Sequence, residues 1–379
     1  MNMTIDAQYR SLVKLLEERT IVSEEDGLKK LFKLIPDVDK RGVLDPRVLK
    51  TYQEMPPFAA TFGKKDEEEG EEAQPSSPPE FSIENIRKAM GWPNHDLSTA
   101  VTTIERTIPG SEVEIPVRIY TPSNPGLKPA IIFFHGGGFF GGSLGAVENP
   151  CKGLAEKAGA VVVSVDYRLA PEHPFPAGLV DCWDTVQWVH NNAEELSVDA
   201  NWIAVSGDSA GGNLSAACTV LDLQNNTNYI KYQALIYPTV CMAEEHSFFQ
   251  WSIDAYERNE EIELMTTIAT GLAPKKGENM VRQMYLPQEI APEDPRVSPI
   301  FFDRKDQLPP ALVVTAEYDG LKVEGETYAK LLAKSGVDTT YLCYQGMDHA
   351  FMDKYGIYPQ AEDLMNEIAK GYRTVIQAS

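Results

Sequence analysis

No apolar run in this sequence approaches the ~18 residues needed to cross a membrane. The first twenty residues, Met1 to Thr20, are charged and amphipathic and lack the apolar stretch of a secretory leader. Positive charge is scarce as well. Thirty-four Lys and Arg face 56 Asp and Glu, a formal net charge of −22. Such a surface repels phosphate backbones and anionic lipid, so neither nucleic acid nor a membrane is an expected partner. Cysteines are few and odd in number: Cys151, Cys182, Cys218, Cys241 and Cys343 lie scattered in apolar segments. No CxxC pair suggests a metal or redox role, and the five read as buried free thiols in a reducing, cytoplasmic compartment. No internal repeat is present.

What is there suffices for a large α/β domain with an appendage. The chain has 379 residues, 43% of them hydrophobic, enough for a sizeable core. Helical spacing predicts a first helix over 5–20. It predicts a second starting at Ser23, with Leu28, Leu31, Phe32 and Ile35 inward, and a third opened by Asp45-Pro46. An acidic, Pro-rich stretch at 64–80 cannot bury apolar surface and reads as a solvated loop. Residues 1–95 are thus expected to form an N-terminal helical cap segment. From 96 to 379, strands alternate with helices, the pattern of a mostly parallel sheet covered on both faces. Apolar runs at 130–134, 160–165, 202–206, 234–237, 311–315 and 339–344 are its expected buried strands. Residues 240–297 break the rhythm and are expected to add to the cap.

The chain is organised around Gly207-Asp208-Ser209-Ala210-Gly211, placed between an apolar strand and a small-residue helix. A serine with glycine on either side at a strand-to-helix turn is a nucleophile elbow, whose tight turn tolerates no Cβ at the flanking positions. A second motif, His135-Gly136-Gly137-Gly138-Phe139-Phe140-Gly141-Gly142, directly follows a strand. Its glycines can present backbone N–H groups to an oxyanion. The same residues also match Gly-x-Gly-x-x-Gly, a dinucleotide fingerprint, with Asp166 at the end of the next strand. That reading leaves the elbow unexplained. Downstream, Asp319 and His349 each follow a strand, giving the chain order Ser209, Asp319, His349 that such an elbow requires. Imidazole titrates near neutrality and can take the serine proton, while a carboxylate fixes its tautomer. Glu317 and Asp348 are rival acids. Phe139 and Phe140 are candidates for the substrate pocket, closed from above by helices of residues 5–52 with Leu15, Leu16, Phe32 or Tyr52 facing in.

Together these stretches resemble the bacterial esterases of the hormone-sensitive lipase family. The resemblance also rests on Ile115–Pro122, Asp166–Ala177, Val297-Ser298-Pro299 and Leu308–Leu312, and covers roughly residues 100–375. It implies an α/β-hydrolase fold, no cofactor or metal, a helical cap, and oxyanion donors at the N–H groups of Gly137, Gly138 and Ala210. It implies a serine carboxylesterase acting on short- to medium-chain acyl or aromatic esters, a small-molecule enzyme, and leaves room for a homo-oligomer. Where the family has Asp-Pro-Leu-Arg-Asp-Glu-Gly, this chain has Asp319-Gly320-Leu321-Lys322-Val323-Glu324-Gly325, and Ala350 replaces the glycine after the histidine. A non-catalytic binding protein on the same fold, like the gibberellin receptors, is the alternative; those lack the histidine, and here His349 is present.

Overall fold

The computed structural model describes residues 7–54, 82–243, 252, 260–270 and 280–378. The acidic stretch 64–80 lies outside them, as does much of the insertion 240–297.

The described residues build one sheet of ten strands: β1 (Thr20–Glu25), β2 (Leu28–Lys33), β3 (Val101–Pro109), β4 (Glu114–Pro122), β5 (Lys128–Phe134), β6 (Val161–Val165), β7 (Val198–Asp208), β8 (Ile230–Ile236), β9 (Ala311–Tyr318) and β10 (Thr339–Asp348). Their spatial order is β1-β2-β10-β9-β8-β7-β5-β6-β4-β3. From β2 to β6 every neighbouring pair is parallel, and the strands beyond them at each edge are antiparallel. Parallel strands need cover on both faces, and the central ones are accordingly apolar on both: all eight residues of β9 are buried.

Side-chain alternation sorts the core into two faces. Ala204 packs toward α4 (Glu148–Ala158) and α10 (Pro359–Ala378), whereas Ile203 and Val205 pack toward α5 (Ala177–Asn191) and α6 (Ala210–Gln224). On the second face α9 (Lys322–Lys334) covers β8, β9 and β10 through Tyr328, Ala329 and Leu332.

Strand order reverses beside β5. Its neighbours are β6, which follows it, and β7, reached by crossing back. At such a switch point adjacent loops leave the carboxyl ends in opposite directions and open a crevice. The glycine-rich motif leaves β5 and the elbow leaves β7 at that place, with Phe134 paired in register to Gly207.

The N-terminal segment departs from its helical expectation. Helix α1 (Ala7–Glu18) and helix α2 (Pro46–Glu54) are present, but residues 20–33 form the β1–β2 hairpin, with β2 parallel to β10. The reason is the turn. Asp26 and Gly27 both have positive φ, 50° and 77°, the two-residue geometry whose twist suits a hairpin. Phe32 consequently packs edge-on to Tyr341 beside the sheet, and Leu16 is fully buried on α1, which lies along α10. Buried Lys33 secures the hairpin against α10, with Nζ 3.0 Å from Asp363 and 2.7 Å from Glu367.

Candidate active site

Ser209 directly follows β7 with φ 54° and ψ −114°, a backbone conformation that costs energy for a non-glycine residue and persists only when its surroundings enforce it. They do. The Ser209 N–H donates to the Ile236 carbonyl at 2.8 Å, and α6 starts at the next residue. A Cβ on Gly207 would stand 2.5 Å from the Phe134 carbonyl oxygen, and one on Gly211 would stand closer still. The flanking glycines are what let the elbow nest against the end of β5.

The glycine-rich loop sits on that elbow. Gly136 N–H donates to Asp208 Oδ1 at 2.8 Å. Gly137 and Gly138 have φ of 121° and 62°, and the Gly137 carbonyl accepts from Gly141 N–H at 2.8 Å. Among the described residues, the N–H groups of Gly137, Gly138 and Ala210 find no protein acceptor. The Ala210 N–H opens α6, and the Gly136–Asp208 bond holds the glycine loop against the end of β7. His135 is buried and stacked on Tyr167, with ring centroids 4.4 Å apart, and its pKa is depressed by burial. The dinucleotide reading fails here. That fingerprint needs a helix to start within the glycines, whereas α4 starts only at Glu148, after a run of turns.

Ser209, His349 and Asp319 come together. His349 Nε2 is 2.9 Å from Ser209 Oγ, and its Nδ1 is 2.7 Å from Asp319 Oδ2. The other Asp319 oxygen accepts the Leu321 N–H at 2.8 Å, which fixes the carboxylate plane. Burial alone would lower the imidazole pKa, but Asp319, with Asp208 and Asp348 beyond it, raises it above the ordinary value. Glu317, the rival acid, faces elsewhere and accepts Gly346 N–H at 2.8 Å. Glu324, at the position where the segment after the acid keeps the family's glutamate, accepts Val240 N–H at 2.7 Å and so anchors the chain as it leaves β8.

Phe139 and Phe140 part company. The left-handed φ of 66° at Phe139 turns its ring into the core, stacked on Tyr285 at 3.8 Å. Phe140 is also buried, but its ring lies against Gly138, where an added Cβ would meet it at 2.8 Å. Val281 of α8 (Met280–Tyr285) approaches the same glycine. The other described helix of the insertion, α7 (Ile262–Thr270), buries Met265 and Ile268. Just before it, Glu261 accepts Leu44 N–H at 2.9 Å, so insertion and N-terminal segment meet.

Several supporting residues carry no motif. Asn213 on α6 donates to the carbonyls of Thr239 and Val297, both at 2.9 Å, stapling the two ends of the insertion. Arg87 on α3 (Ile83–Ala89) pairs with Glu172 at 2.6 Å and also donates to the carbonyls of Ala170 and Phe140, which gives the 166–177 tract a structural role. Among the described residues no group of three His, Cys, Asp or Glu side chains could hold a metal ion, and no helix is long and apolar enough to cross a membrane.

A parallel sheet carrying a strained serine elbow, with histidine and acid on later strand ends, defines an α/β hydrolase. The profile of the α/β-hydrolase-fold family matches residues 131–353. Carboxylesterase NlhH of Mycobacterium tuberculosis is 36% identical over 253 residues, which are 66% of this chain and 75% of that one. An arylesterase of Saccharolobus solfataricus is 34% identical over 241 residues, 64% of this chain and 74% of its own. The structure of the hyperthermophilic esterase of Pyrobaculum calidifontis superimposes with a TM-score of 0.69 at 32% identity, covering 88% of this chain and 99% of that one. The chain belongs to the hormone-sensitive lipase family of α/β-hydrolase-fold esterases, and it is a carboxylic ester hydrolase.

Proposed function

We propose that Ser209 is the nucleophile, His349 the general base and acid, and Asp319 the residue that orients and charges the imidazole. The observation that carries this is the pair of contacts at His349, 2.9 Å to Ser209 Oγ and 2.7 Å to Asp319 Oδ2. As Ser209 Oγ bonds to the ester carbonyl carbon, His349 Nε2 takes its proton. The carbonyl oxygen becomes an oxyanion facing the N–H groups of Gly137, Gly138 and Ala210. Collapse breaks the bond to the alkoxy oxygen, and His349 returns the proton so that the alcohol leaves. Water, deprotonated by His349, then attacks the acyl-serine and releases the acid and the free serine.

The substrates are short- to medium-chain acyl or aromatic esters. Phe140 against Gly138, and the approach of α8 to the same loop, support a covered pocket of limited depth. The arylesterase relative supports the aromatic part of that range. Five free cysteines favour a reducing, cytoplasmic setting.

Ser209→Ala is expected to lose ester hydrolysis by about 10⁴-fold or more in kcat while keeping its melting temperature. An organophosphonate should label the wild type once, at Ser209. Labelling at another residue, or undiminished turnover by the variant, refutes the assignment.

A further inference from the structure

The loop that carries His349 is held partly from outside the hydrolase core. The Gly346 carbonyl, at the sheet end of the loop, accepts Asp45 N–H at 2.9 Å. Asp348, immediately before His349, is buried, and its Oδ2 accepts the hydroxyl of Tyr52 on α2 at 3.1 Å. The Lys354 ammonium lies 3.8 Å from that oxygen, shared with the rings of Trp92 and Tyr358. Asp348 Oδ1 has no hydrogen-bond partner among the described residues. A buried carboxylate with one neutral donor and a distant cation is costly to keep. Its position explains the cost. It adjoins the imidazole that must become positive, and a negative charge there favours the imidazolium. On another side the imidazole faces the Tyr237 ring, with centroids 4.7 Å apart.

We propose that Tyr52 and Asp348 are positioning residues for His349: the Tyr52 hydroxyl holds the Asp348 carboxylate in place, and Asp348 sets the stance and charge of the base. Helix α2 is then part of the machinery as well as a cover. The proposal rests on His349 being the base. Without the hydroxyl, the carboxylate is free to turn toward Lys354, and the histidine loop loses its tie to α2. The charged and titratable groups around the imidazole are Asp319 after β9, Asp208 at the end of β7, Asp348 on β10, Asp353 and Lys354 in the turn that follows, and Tyr237 after β8. Of these, only Asp348 is reached by Tyr52 through a hydrogen bond.

The test uses the full chain with p-nitrophenyl butyrate, with turnover normalised to the Ser209 sites titrated by an organophosphonate so that misfolded protein does not count. Tyr52→Phe should lower kcat about tenfold with KM within about twofold, the loss of one hydrogen bond expressed in the transition state. Asp348→Asn should lower kcat at least as far and move the acidic limb of the kcat/KM profile to lower pH, since the imidazole loses a neighbouring negative charge. Because Tyr52 acts through Asp348, the double variant should be no worse than Asp348→Asn alone. Unchanged kcat with an unmoved acidic limb in either single variant, or strictly additive losses in the double, overturns the proposal. Failure of the underlying reading looks different: there, Ser209→Ala or His349→Ala would retain hydrolysis.

Discussion

Lys33 on β2 and Asp363 on α10, 330 residues apart in sequence, meet with Nζ 3.0 Å from Oδ2, where neither side chain reaches solvent. Tyr344 also donates to Asp363, and Glu367 to one side completes the cage around the ammonium. Removing the cation alone leaves two carboxylates facing each other with little solvent. Lys33→Met is therefore expected to destabilise the protein by about 3 kcal/mol, because an uncompensated buried charge costs more than the pair returns. Adding Asp363→Asn and Glu367→Gln should recover much of that loss. Urea denaturation of the single and triple variants checks both statements; an equal loss in the two would place the cost in packing alone.

Asp319 and Glu317 separate cleanly by partner. Asp319→Asn replaces the acceptor at His349 Nδ1 with an amide and favours the wrong tautomer, so kcat should fall by about 10⁴-fold, as for a serine protease altered in the same way. Glu317→Gln keeps an oxygen for the Gly346 N–H and should cost less than about tenfold. Steady-state kinetics with a single ester suffices, and the opposite ranking would transfer the acid's role to Glu317.

The two phenylalanines after the glycines should respond in opposite ways. Phe139→Ala empties a site stacked on Tyr285 and is expected to cost about 3–5 kcal/mol of stability, leaving the acyl-length profile as it was. Phe140→Ala should instead move the optimum toward longer chains. For the wild type, kcat/KM should rise from acetyl to butyryl or hexanoyl, each enclosed CH₂ adding roughly 0.8 kcal/mol, and fall for chains of about twelve carbons. Melting curves and a p-nitrophenyl ester series distinguish the two. A preference for palmitoyl esters would contradict the enclosed pocket.

Glu324 supplies a pH test. Burial pushes its carboxyl up to about 8, with the Val240 N–H opposing that rise. The folded value lies above the ordinary one, so the fold favours the protonated form. Its contribution to stability is complete below the ordinary carboxyl value of 4.5 and is lost as pH climbs through about 8. Glu324→Gln keeps the shape and the acceptor without the charge. Its melting temperature should gain on the wild type as pH rises from about 5 to about 9. A gap constant across that range would mean that Glu324 is ionised in the fold throughout.

The parts of the site that were legible in sequence are those whose chemistry is local. Ser209 between two glycines, and three glycines after a strand, announce their backbone geometry through residue type. Asp319 and His349 were legible through strand order. Residues 23–35 carry two competing signals, since Leu28, Leu31, Phe32 and Ile35 fit a helical spacing while Asp26-Gly27 marks a hairpin; pairing with β10 decides for the hairpin, and nothing nearby in sequence encodes that partner. Amphipathicity puts Tyr52 on the inner face of its helix, but its hydrogen bond to Asp348 spans 296 residues and has no local signal. Phe139 and Phe140 are neighbours of one type and both are buried; the positive φ at Phe139 takes its ring to Tyr285, while that of Phe140 lies against Gly138.

The hairpin at the sheet's edge also constrains how the chain is made. β2 finds its parallel neighbour β10 only after some three hundred further residues have been synthesised. At about 5–20 residues per second, that is on the order of tens of seconds on the ribosome. An isolated two-stranded hairpin is at best marginally stable, so the segment must wait without its fold. Its charges suit that wait: Glu24 and Glu25 on one strand, and Lys29, Lys30 and Lys33 on the other, make it a poor template for aggregation while it is unpaired. Closure of the nascent enzyme is therefore a late event, in which the β1–β2 hairpin docks through β2 onto the last strand.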